Sequence, residues 1–255
     1  MQIKLLRLLA FLIIIVPFAG CSASSEEKKS LTISAASSLT DVMKELTDTY
    51  ENNHNVSIQL NLASSGKLAR QIEQGAPVDV YLSANQKWMD QLEAGKQIES
   101  ATRRNFTSNH LVIIGSKSNN ELTSLQTLGN LPPESQIAVG EPESVPAGSY
   151  TKQALQKIHL WDLIEEQLVF ASDVRQVLTY VESGNVSYGI VYRSDAKISD
   201  QVRVLTEIDP ELHKPIVYPG AILSDSTHKQ EATDFLNFLS RKEAKEIMKK
   251  YGFQS

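Results

Sequence analysis

Two rhythms of apolar and polar residues alternate along almost the whole chain, one with a period of two and one near 3.6. Leu31-Thr32-Ile33 reads as a buried strand, and Val42, Met43 and Leu46 behind it recur at helical spacing. Residues 56–62 alternate as a strand does; a helix over 67–73 follows Ala63-Ser64-Ser65-Gly66 and ends at Gly75. Residues 78–82 form the next strand, and Asn85 opens a helix that carries Trp88, Met89 and Leu92 and stops at Gly95. Beyond it come an apolar strand at 111–115, a helical stretch at 121–128 and a strand at 136–140. Pro142, Pro146 and Gly148 predict a loop over 141–149. Helices are expected over about 150–158, from Trp161, over 174–181, 229–239 and 242–251, with strands at 168–170, 188–192, 202–205 and 216–218.

Strands alternating with helices predict an α/β fold of mostly parallel sheets flanked by helices. In such sheets ligands bind at the carboxyl ends of strands, on helix N-termini. Turns of small residues lie at such places after Ile33, after Leu62, before Tyr150, before Val174 and after Val191. The first, Ala35-Ala36-Ser37-Ser38-Leu39-Thr40, would aim free N–H groups and two hydroxyls at one point, a means of holding an anion without a charged side chain. Taken alone, Ser38 is better read as a helix cap. Five such turns in one chain point to a shared pocket.

The first twenty residues are of another kind. Lys4 and Arg7 precede an almost wholly apolar run over 8–18, with the length and charge of an export signal. Cys21 directly after it is the sole cysteine, so no internal disulfide can form. Residues 22–30 are a polar tether rich in Ser, Glu and Lys. With 41 % hydrophobic and 22 % charged residues over 255 positions, the remainder is globular. A net charge of -5 and the absence of a basic-aromatic cluster argue against a nucleic-acid partner.

The motifs A-A-S-S-L-T at 35–40, A-S-S-G-K-L-A-R-Q-I at 63–72, G-A-P-V-D-V at 75–80 and S-A-N-Q-K-W-M at 83–89 fall in one order with A-V-G-E-P-E-S-V-P-A-G at 138–148, E-E-Q-L-V-F-A-S-D-V-R at 165–175, G-I-V-Y-R-S-D at 189–195 and K-K-Y-G-F at 249–253. In this set the chain resembles the molybdate-binding proteins of bacterial ABC importers, within the bilobal extracytoplasmic solute receptors. The resemblance implies a two-lobed periplasmic-binding-protein type II fold with a two-strand hinge near Leu111 and Tyr218. Residues 31–108 and 219–255 would form the first lobe and 109–218 the second. It implies a receptor, not an enzyme, that takes molybdate and tungstate from solution and passes them to the membrane subunits of an ABC permease. The ligand set carried over is Ser38, Ser65, Ala147, Val174 and Tyr192, with Ser37 and Ser64 as secondary candidates. The end of the leader, Phe18-Ala19-Gly20-Cys21, resembles a lipobox with phenylalanine at the usual leucine position. That implies a signal peptide over 1–20 and a monomer lipid-anchored through Cys21 to the outer face of the cell membrane. No cofactor is expected.

Other readings of the same residues are weaker. A sulfate- or phosphate-type oxyanion receptor would share the architecture; phosphate, often protonated, would want an acceptor carboxylate, and Asp173 alone stands near the five turns. Ser64-x-x-Lys67 matches the serine acyl-enzyme pattern, without its S-D-N and K-T-G partners. His54, His110, His159, His213 and His228 show no metal-ligand spacing. Lys67, Arg70 and Arg175 are expected to face solvent or to pair with Glu73, Asp79 or Asp173. Trp88 and Trp161 are expected in the core.

Overall fold

The structure is a computed structural model and describes residues 28–117, 122 and 124–254. The leader, Cys21 and most of the tether lie outside the described residues. Among the described residues the chain builds two five-stranded sheets, and no helix is long and apolar enough to cross a membrane.

The first sheet contains β1 (Lys29–Ala36), β2 (Val56–Ala63), β3 (Val80–Leu82), β4 (Arg104–Ser108) and β10 (Val217–Ile222), in the order β2-β1-β3-β10-β4. The second contains β5 (Leu111–Ser116), β6 (Ile137–Gly140), β7 (Leu168–Ala171), β8 (Tyr188–Tyr192) and β9 (Val202–Glu207), in the order β7-β6-β8-β5-β9. Both follow one plan. Three parallel strands stand side by side, a fourth strand (β10 or β5) pairs antiparallel with the third, and the last (β4 or β9) pairs antiparallel with that one and so runs with the trio. The reversed strands are those that arrive at the crossings: β4 leaves the first sheet for β5, and β9 leaves the second for β10. A strand that arrives from the other sheet enters from the opposite end, which is why these pairings reverse direction.

Helices cover the sheets. α1 (Thr40–Glu51), α2 (Ser65–Glu73) and α3 (Gln86–Ala94) follow β1, β2 and β3. α4 (Pro146–Lys157) follows β6, α5 (Trp161–Ile164) and then β7 come next, α6 (Val174–Glu182) follows β7, and α7 (Arg193–Lys197) follows β8. α8 (Lys229–Leu239) and α9 (Lys242–Lys250) close the chain against the first sheet. The first and second strands of each parallel trio thus each lead into a helix, giving equivalent starts at α1 and α2 in one half and α4 and α6 in the other. Leu31 and Ile33 of β1 and Val112, Ile113 and Ile114 of β5 are fully buried. Each such side chain contributes about 1.5–3 kcal/mol.

Three local expectations change. α4 begins at Pro146, four residues before the expected start at 150. Proline at the first helical position has the right φ and lacks an N–H that would go unused there. Gly148 does not end a loop; it lies inside α4, where a Cβ would stand 1.8 Å from the Gly140 carbonyl oxygen, so glycine lets the helix rest on β6. The stretch expected to be helical at 121–128 holds a 3-10 turn, Leu125–Asn130, among its described residues. β4 and α7 are additional elements, both short and polar.

Candidate functional site

The strand-to-helix turns converge where the two halves meet. Ser37–Leu39 forms a 3-10 turn between β1 and α1, and neither that turn nor α1 has a side-chain cap. Ser38 is therefore not the capping residue that its position suggests. Its Oγ meets the Tyr218 Oη at 3.0 Å. Ser37 receives the Thr40 hydroxyl on its carbonyl at 2.6 Å. Ser65 is the first residue of α2, and its Oγ accepts the Ala84 N–H at 3.0 Å, which fixes the hydroxyl toward the end of β3. Ser64 is the residue before α2, extended and buried, while Lys67 is exposed, so the two do not form an acyl-enzyme pair.

From the second half, Ala147 and Val174 lie in the first turns of α4 and α6. Tyr192 ends β8, its N–H donating to Asp195 Oδ2 at 3.2 Å. Its ring lies 6.0 Å from the Tyr218 ring, at 62°. Ser38, Ser65, Ala147, Val174 and Tyr192 are each 2 % exposed or less. Contacts between the halves explain that burial. The Gly66 N–H donates to the Ser144 carbonyl at 3.0 Å, joining the start of α2 to the turn before α4. Arg175 Nη2 reaches Asp41 Oδ2 at 2.5 Å, joining the start of α6 to that of α1. All four helix starts thus meet in one closed arrangement. Their first-turn N–H groups have no partners within the helices, and the helix dipoles add partial positive charge.

Two features set this place apart. The Tyr192 phenol oxygen is buried and has no hydrogen-bond partner among the described residues, although most buried hydroxyls have one. Burial also pushes the Tyr192 phenol well above its ordinary pKa, so it stays an O–H donor at neutral pH. The donors are neutral, and the nearby cation is already engaged. Arg175 was expected to face solvent or to pair with Asp173; it contacts Asp41 and, through Nε at 2.9 Å, Asp195 Oδ1. The second contact is an ion pair out of line for a hydrogen bond. Asp173 caps α6, its Oδ1 accepting the N–H groups of Arg175 and Gln176 at 2.9 and 3.1 Å.

Sequence reasoning missed the network behind these turns. Asn109, between β4 and β5, donates to Ser194 Oγ at 2.8 Å and to Tyr218 Oη at 3.4 Å. Ser38 is thereby tied to both crossings. Tyr218 drew notice only as a hinge position, and Asn109 carries no local signal. Trp88 and Trp161 are buried as expected, and Arg70 lies over the Trp88 ring at 5.6 Å. Among the described residues no group of three or more His, Cys, Asp or Glu is placed to hold a metal ion. A cavity of about 760 Å³ lies beside the junction, between α3 and α4, and none of the five residues lines it. It is an outer recess of the cleft, lined by Lys87, Tyr150 and Lys214 among others.

The chain matches the family model described as bacterial extracellular solute-binding protein over residues 31–254. It is 40 % identical to the putative ABC transporter substrate-binding lipoprotein YvgL of Bacillus subtilis, over 99 % of this chain and 97 % of that one. It is 38 % identical to the molybdate-binding protein ModA of Escherichia coli, over 98 % of each. Its fold is similar to the solved substrate binding domain of a putative molybdenum ABC transporter from Clostridium difficile, with a TM-score of 0.69, 38 % identity, and 89 % of this chain and 98 % of that one covered. Two mixed sheets joined by two crossings, with helix starts facing one cleft and sequence likeness over nearly the full length, show that the chain belongs to the bacterial extracellular solute-binding protein family.

Proposed function

We propose that this protein is the extracytoplasmic receptor of an ABC importer and binds the tetrahedral oxyanion molybdate, with tungstate as an equivalent ligand. The observation that carries the reading is the buried cluster of neutral donors on four helix starts, with the Tyr192 hydroxyl unpartnered among them. The hydroxyls of Ser38, Ser65 and Tyr192 and the backbone N–H groups of Ala147 and Val174 would take the oxygens, with Ser37 and Ser64 as flanking donors. Hydrogen bonds to a charged acceptor contribute about 1.5–3 kcal/mol each. Because the donors come from both halves, bound anion favours the closed form over the open one. Residues 31–108 with 219–255, and 109–218, act as the two lobes. Hydrogen phosphate would need an acceptor carboxylate, and the one near these turns, Asp173, already takes two N–H groups at the start of α6. The protein acts as a monomer, held to the outer face of the cell membrane by lipid on Cys21, and hands its anion to the permease subunits. It has no catalytic role.

Full-length relatives bearing the name molybdate-binding protein support the choice of anion. Calorimetric titration with molybdate, tungstate, sulfate and phosphate tests it. Tight, one-to-one binding of the first two and little heat from the others is expected. Binding of sulfate in preference to molybdate would overturn the reading.

A further inference from the structure

We infer that Arg175 is a positioning residue that latches the two lobes shut over the anion. The inference rests on the oxyanion reading above and deepens it. Arg175 is the second residue of α6, one peptide beyond Val174. Its Nη2 crosses to Asp41 Oδ2 at 2.5 Å, in the first turn of α1 and three residues beyond Ser38. Its Nε faces Asp195 Oδ1 at 2.9 Å within its own lobe, and Asp195 in turn holds the Tyr192 N–H at 3.2 Å. One guanidinium therefore touches the supports of three proposed donors, at Ser38, Val174 and Tyr192. The arm to Asp195 lies within one lobe and survives opening. The arm to Asp41 spans the cleft and exists only when the lobes are together.

The chemistry fits a latch better than a ligand. A free guanidinium beside a dianion would bind it directly, but this one faces two carboxylates, and the trio carries no positive surplus. The two contacts leave from different nitrogens of one planar fork, a geometry that a lysine ammonium cannot reproduce. Asp41 is about a third exposed and Asp195 fully buried. The crossing contact can thus be removed at Asp41 without leaving a buried charge unpaired.

Asp41→Asn is the test, with molybdate release followed by stopped-flow tryptophan fluorescence. Removing one partner of a partly buried charge pair acts mainly on the off-rate, and about tenfold faster release with unchanged association is expected. The ligand-free melting temperature should hold. Arg175→Lys, which keeps a charge beside Asp195, should behave alike, and the double variant should lose nothing further, because the two changes remove one interaction. Simple electrostatics predicts the opposite sign, since deleting a negative charge near an anion site slows release. Release from Asp41→Asn that is unchanged or slower overturns the latch. If the wild-type protein binds no molybdate, that failure belongs to the oxyanion reading, and the latch is then read without ligand by small-angle X-ray scattering. Asp41→Asn should give the more extended profile, and identical profiles would overturn the inference.

Discussion

Two hydroxyls in the cleft separate binding from stability. The Tyr192 phenol oxygen has no hydrogen-bond partner among the described residues, whereas Ser38 Oγ meets Tyr218. Tyr192→Phe should weaken molybdate binding by about 1.5–3 kcal/mol, the worth of one charge-assisted hydrogen bond. Its ligand-free melting temperature should hold or rise, since a buried, unsatisfied hydroxyl is removed. Ser38→Ala should weaken binding by a similar amount and also lower ligand-free stability by about 1 kcal/mol, because it breaks an existing bond. Calorimetry paired with thermal melts distinguishes the two patterns. Asp195 supplies a different signal. Burial pushes its carboxyl up to about 7, with the Arg175 guanidinium and the Tyr192 N–H pulling the other way. The native state then holds a proton more tightly than the unfolded chain does, so this group's contribution is full below about pH 4 and is lost as pH rises through 7. Urea unfolding at pH 5 and pH 8 should show that loss in the wild type and a smaller one in Asp195→Asn.

At the scale of elements, what proved legible was whatever local pattern dictates. The alternation of β1 and β2, the apolar run of β5 and the helical spacing in α1, α3 and α6 all follow from side-chain period and punctuation. The strand-to-helix turns were legible too, since small residues between a strand and a helix mark the carboxyl edge of a parallel sheet. What escaped depends on contacts distant in sequence. Gly148 reads as a breaker, yet it is demanded by the Gly140 carbonyl against which α4 rests. The Ser38–Tyr218 pair is 180 residues apart, and no local rule foretells that Arg175 turns from Asp173 to Asp41. Gly148→Ala tests the packing claim. Its Cβ would collide with β6, which should cost about 1–3 kcal/mol by thermal melting. Because the shifted turn carries Ala147, molybdate affinity should fall as well.

In the whole molecule, the two sheets repeat one plan, and the crossings β4–β5 and β9–β10 exchange a strand between them. That exchange places equivalent helix starts, with their neutral donors, opposite one another. Gly66 meets Ser144, and Asp41 meets Arg175, between the two halves. The proposed seat of the anion is among Ser38, Ser65, Ala147, Val174 and Tyr192. Crystals grown with tungstate and measured at the tungsten absorption edge test it most directly. One strong anomalous peak per molecule is expected, with the anion's oxygens in hydrogen-bond reach of the Ser38, Ser65 and Tyr192 hydroxyls. A peak in the outer recess by Lys87 and Lys214, or none between the sheets, would contradict it.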